Sequence, residues 1–138
     1  MGKHDEYGKL VLMKAAGGEY RASGPSVRVD YGTGGYASID GTVGGRIAVE
    51  VESRVPKQIR GAVLDLIFHS YPKKLLVLLP VHMYNPDKTA AQCEFILERF
   101  LDRSHFRVVL LKGHGDNHQI TIDTQAVKHA LKELGFGS

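Results

Sequence analysis

The sequence predicts an α/β fold in which a mixed central sheet is flanked by helices, within a single domain over residues 1–138. Three observations predict it. An amphipathic segment with helical spacing opens the chain. Residues 27–52 then alternate apolar and polar positions between Gly-rich turns, as antiparallel strands do. Beyond them, a continuous apolar run of strand length, Leu75–Leu79, and a second apolar strand segment, Phe106–Leu111, are separated by a helical pattern, as in parallel strands buried in the sheet.

Each element follows from local chemistry. His4 to Ala16 repeats Tyr7, Leu10, Val11 and Lys14 at helical spacing, and Gly17-Gly18 end the segment. Residues 19–26 read as loop, with Gly24-Pro25 as a turn signal. Val27 to Tyr31 and Tyr36 to Asp40 read as strands joined by Gly32-Thr33-Gly34-Gly35. Gly41 to Gly45 then connects to a third strand, Arg46 to Glu52, completing an antiparallel meander. Pro56 suits the first turn of a helix running to about His69, with Ile59, Ala62, Val63, Leu66 and Ile67 on its buried face. Thr89 to Leu101 reads as a third helix with Phe95, Ile96 and Phe100 inward. Ile120-Thr121-Ile122 reads as a short edge strand, and Thr124 as the cap of a last helix bearing Val127, Ala130, Leu131 and Leu134. The order is α-β-β-β-α-β-α-β-(β)-α.

The 138 residues suffice for one buried core, and 43% hydrophobic with 24% charged residues is an ordinary globular balance. No apolar run reaches the roughly 18 residues a membrane helix needs, and the first ten residues lack a signal-peptide core, so a cytoplasmic setting is expected. Cys93 is the single cysteine, which excludes an intrachain disulfide and suits simple packing in a helix. A net charge of +3 permits a nucleic-acid partner without requiring one.

The chemistry concentrates around residues 38–60. Glu50 and Glu52 share one strand face, about 7 Å apart, while Ile47, Val49 and Val51 turn to the core. Asp40 closes the preceding strand, and a short Gly-rich connection brings it toward Glu50. Carboxylates converging in this way repel unless a cation neutralises them, and oxygen ligands suit Mg²⁺ or Mn²⁺ better than zinc. Arg54, Lys57 and Arg60 follow directly, so that metal plus phosphate accounts for acids beside bases. The alternative is a solvated strand face with ordinary surface ion pairs.

These residues resemble the PD-(D/E)XK, restriction-endonuclease-like superfamily of nucleases over about residues 4–80. Its core is a helix, a three-stranded meander, a helix and a fourth strand, with an acid ending the second strand and acid-x-Lys on the third. Asp40 matches the first acid and Glu50 the second. Ile39 stands where the name-giving proline would be, and Glu52 stands in the lysine's place, as in the Glu-x-Glu variant. Glu6 matches an accessory acid on the first helix, as in the similarly short Holliday-junction resolvases. The resemblance implies a Mg²⁺-dependent endonuclease that hydrolyses DNA phosphodiester bonds and acts as a homodimer. It implies metal held by Asp40, Glu50 and the Val51 carbonyl, with Glu52 as base or second-metal ligand. Arg54, Lys57 or Arg60 would contact phosphate, and Lys57 is the nearest candidate for a migrated lysine. Gln58 is similar to a glutamine that some exonuclease branches carry after the motif. An inactive module of the same fold that binds DNA or protein is the alternative, prompted by the missing lysine.

Other candidates are weaker. Asp30 rivals Asp40 for the first metal position, and Glu19 rivals Glu6. Gly32 to Gly35 lacks the Lys-Ser/Thr ending of a phosphate loop and reads as a hairpin turn. His114-x-Asp116-x-His118 lies in a Gly-rich turn with no further ligand pair, and His69 and His82 read as surface or boundary residues. No serine stands in a nucleophile-elbow sequence.

Overall fold

The computed structural model describes residues 3–54, 56–113 and 118–137. Helix α1 (Lys3–Ala16) leads into strand β1 (Tyr20–Arg21), then β2 (Arg28–Asp30), β3 (Tyr36–Ser38), β4 (Gly41–Val43) and β5 (Ile47–Glu52). Helix α2 (Pro56–Phe68), strand β6 (Lys73–Leu78), helix α3 (Pro86–Leu97), strand β7 (Phe106–Leu110) and helix α4 (Ile120–Glu133) follow. The main sheet has five strands in the order β1-β4-β5-β6-β7. Pairing is antiparallel for β1–β4 and β4–β5, and parallel for β5–β6 and β6–β7. The expected mixed sheet flanked by helices is therefore present.

Two apolar layers sandwich this sheet. Ile47, Val49 and Val51 of β5 meet Tyr7, Val11 and Leu12 of α1 and Val127 and Leu131 of α4. Ala48 faces the other side, with Ile59, Val63 and Leu66 of α2 and Cys93 and Leu97 of α3. Strand alternation thus puts Glu50 and Glu52 on the α2 side. Gly8 lets α1 lie close on the sheet: a Cβ there would stand 2.4 Å from Val51 Cγ1.

Several local expectations are corrected. The meander is broken: β2 and β3 pair only with each other, and the chain then enters the main sheet as β4, within the stretch expected to be a connection. The expected loop at residues 19–26 contains edge strand β1, which is held by β4. Gly44 and Gly45 make the tight β4–β5 turn with φ of 62° and 68°, where a side chain would be strained. Ile120-Thr121-Ile122 is the first turn of α4 rather than a strand, and Thr124 lies inside that helix. The 3.6-residue spacing of Val127, Ala130, Leu131 and Leu134 simply extends backward. Helix α3 starts at Pro86 behind an Asn85 cap and buries Thr89, Cys93 and Leu97. Phe95 and Phe100 are exposed instead of inward, because the buried stripe lies two residues away. His69 is buried, not a surface residue. Its Nε2–H donates to the Ser26 carbonyl at 2.7 Å, and its Nδ1 accepts from the Tyr71 N–H at 3.1 Å. Burial lowers its pKa.

Candidate active site

The site grows from a mismatch in strand length. β4 begins at Gly41, opposite Val49, whereas β5 runs on to Glu52, so the last turn of β5 has no β4 backbone beside it. Asp40 fills that gap with its side chain. Its Oδ2 accepts the Val51 N–H at 2.8 Å, and its own N–H donates to Glu50 Oε1 at 2.7 Å. Asp40 thus takes a backbone N–H of β5, and Glu50 of β5 takes the backbone N–H of Asp40. On an extended strand the N–H and C=O of one residue point the same way, so the Val51 carbonyl faces this gap too. The Tyr20 hydroxyl donates to the Asp40 carbonyl at 3.3 Å from β1.

Asp40 and Glu50 face a cavity of about 480 Å³. Glu50 is only 6% exposed. Burial, then the Asp40 charge and a hydrogen bond between the two side chains, push its carboxyl up to about 9. Asp40 is also raised, chiefly by burial, against the pull of the Val51 N–H, of Glu50 and of the Lys9 ammonium. Like charges buried this close hold a proton between them unless a cation replaces it.

The structure brings together only part of the expected set. Asp40, Glu50, Val51, Glu52 and Arg54 all border the cavity, as does Gln58. Glu52 is buried and is gripped through both its oxygens by the Arg54 guanidinium, so its carboxylate is committed to that pair. Glu6 is exposed on α1 and does not border the cavity; Asp5 and Lys9, one helical turn apart, do. Arg60 sits instead over a small hollow between α2 and α3 beside Cys93, because the cavity-facing stripe of α2 is Gln58, Gly61, Ala62 and Asp65. The rivals fall away by position. Asp30 accepts the Gly32 N–H at 2.7 Å in the β2–β3 turn, and Glu19 borders a separate hollow near the Gly44 turn. The side chain of Lys57, and His114 and Asp116, lie outside the described residues.

Sequence reasoning missed Lys9, Asp5 and Asp65, which border the cavity together with the expected Ser38. A usable signal existed in α1: Asp5 and Lys9 flank Gly8 on one face, and a glycine inside an apolar helical stripe marks close approach to the sheet. Asp65 is fixed by the Tyr31 hydroxyl at 2.5 Å, a contact across 34 residues that no local pattern carries.

The donor set fits a hard divalent cation. Two carboxylates and a carbonyl are all oxygen, and Mg²⁺ commonly takes one or two carboxylates and keeps waters for the rest. Among the described residues, no three His, Cys, Asp or Glu side chains converge as a metal cluster. Glu52, turned to Arg54, leaves the pair alone. Comparison of the chain with protein-family models, with curated proteins and with solved structures finds no match.

Proposed function

We propose that this chain is a metal-dependent endonuclease that hydrolyses DNA phosphodiester bonds, with Asp40, Glu50 and the Val51 carbonyl holding Mg²⁺ or Mn²⁺. The observation that carries the reading is the reciprocal Asp40–Glu50 pair, buried at the wall of a cavity that Lys9 also enters. A bound divalent ion supplies Lewis-acid polarisation of the phosphate and acidifies a water. The chain's own groups do the rest. Lys9 brings an ammonium to the cavity and offsets charge that develops on phosphoryl oxygens, the part the resemblance gives to Arg54, Lys57 or Arg60. Ser38 and Gln58 offer hydrogen bonds that orient water and phosphate. Arg54 neutralises Glu52 and keeps a third carboxylate from repelling the substrate. The positive net charge favours association with DNA, and the resemblance adds a homodimer.

The test is cleavage of plasmid and branched DNA with Mg²⁺ or Mn²⁺ by the wild type, Glu50→Gln and Lys9→Met. Cleavage is expected in the wild type and lost in Glu50→Gln, whose neutral amide is a poor ligand. Lys9→Met is expected to fall at least about 100-fold while still retaining DNA. Cleavage unchanged by Glu50→Gln would refute the site. The second reading, a non-catalytic module that binds DNA or protein, is favoured by the commitment of Glu52 to Arg54. Salt-sensitive DNA retention without cleavage under either ion would select it.

A further inference from the structure

The β2–β3 hairpin stands beside the cavity and gives Ser38 to the site. Its pairing, Arg28 with Ser38 and Asp30 with Tyr36, puts these four residues on one face, while Val29 and Ala37 turn to the core. Ser38 borders the cavity, so this outward face runs directly into the site. The four steps along the chain from Tyr36 to Asp40 span at most about 14 Å.

That face carries a stacking surface. The Arg28 guanidinium lies over the Tyr36 ring, 4.6 Å from its centroid, and Tyr36 is 60% exposed. A hollow of about 410 Å³ opens against it, bordered by Arg28, Asp30, Tyr36 and the glycines of the turn. This volume is of the size that accepts a small planar ligand. Asp30, held in place by the Gly32 N–H, puts a carboxylate at this hollow. A carboxylate there disfavours phosphate and accepts from the amino groups of bases. On the opposite flank Tyr31 packs on Phe68, with centroids 5.1 Å apart, and bonds Asp65, which ties the hairpin to α2 and to the cavity.

We propose that this hairpin face binds an unpaired nucleobase of the substrate, stacked on the open side of the Tyr36 ring. The inference rests on the nuclease reading and deepens it: the site takes DNA with unpaired nucleotides next to the cut rather than uninterrupted duplex. Arg28 braces the ring by cation–π attraction and borders the same hollow, and every base offers a π-face to such a platform. A base inside intact duplex is already stacked on its neighbours and reaches the hollow only at the cost of unstacking and unpairing.

The test measures fluorescence anisotropy of a labelled mixed-sequence single-stranded oligonucleotide and of its blunt duplex, with Ca²⁺ present, for the wild type, Tyr36→Phe and Tyr36→Ala. Tyr36 lies on the surface, so the alanine variant keeps the core intact. Tyr36→Ala is expected to weaken single-strand binding about 5- to 100-fold, Tyr36→Phe to retain it, and duplex binding to change less than about twofold. The inference is overturned if Tyr36→Ala binds the single strand as the wild type does, if both DNA forms lose equally, or if the wild type binds neither. Cleavage of branched DNA dependent on Glu50, measured alongside, reports on the nuclease reading separately. Such cleavage with unchanged Tyr36→Ala binding sinks only the hairpin.

Discussion

Glu50→Gln, studied without divalent ions, tests the physical core of the site. Glu50 ionises at about 9 when folded against an ordinary 4.5. The folded chain therefore binds a proton there up to about pH 9, whereas the unfolded chain releases it above about pH 4.5. Between those limits the folded state holds more protons, so stability falls as pH rises through the window and levels off above it. At pH 7 the penalty corresponds to about 3 kcal/mol. The amide of glutamine mimics the protonated acid: its oxygen still accepts the Asp40 N–H, and its NH₂ donates to the Asp40 carboxylate as the proton did. The substitution removes the penalty while leaving the packing unchanged. Water entry into the open cavity reduces the gain, and at least about 1 kcal/mol at pH 8, or about 4 °C in Tm, is expected. The assay is thermal unfolding in EDTA from pH 6 to pH 9 for both proteins. Background titration of the histidines cancels in the difference, which should widen with pH. Mg²⁺ should then raise the wild-type Tm at pH 8 and leave Glu50→Gln almost unmoved. A constant difference across the range, or a less stable glutamine variant at pH 8, refutes the buried-pair account.

The remaining predictions probe the scaffold. Gly8→Ala forces a Cβ to within 2.4 Å of Val51 Cγ1, and an overpacking cost of about 1–3 kcal/mol should outweigh the helix propensity it gains. In urea unfolding, Val51→Ala should be less damaging in the Gly8→Ala background than in the wild type; strictly additive effects would contradict the contact. Lys74, buried at the start of β6, donates to the His69 carbonyl, and burial lowers its ammonium to about 8. The folded chain holds that charge at a cost in full below about pH 8, and the cost is relieved as pH rises toward its ordinary 10.5. Lys74→Met should therefore raise Tm at pH 7, with the gain shrinking above pH 8; a gain independent of pH would show that the charge is not the cause.

Sequence by itself determined the layers of this protein and the two acids at their centre. Period-2 alternation assigned Ile47, Val49 and Val51 to the core, and with them Glu50 and Glu52 to the opposite face. The continuous apolar run Leu75–Leu79 marked β6, the largely apolar segment from Phe106 marked β7, and the 3.6-residue stripe of α2 marked its buried side. These are short-range properties, decided by where a side chain points relative to its neighbours. Only the tertiary structure decided which strands pair. The Gly-rich residues 32–45 have turn signals in excess, and nothing local distinguishes a continuous meander from a separate hairpin followed by β4. Only it decided the rest of the site as well: Lys9 and Asp5 in place of Glu6, Glu52 taken by Arg54, and Asp65 held by Tyr31. Helix rotation and close approach across tens of residues depend on packing of the whole core, and Gly8 against Val51 sets which face of α1 reaches the acids.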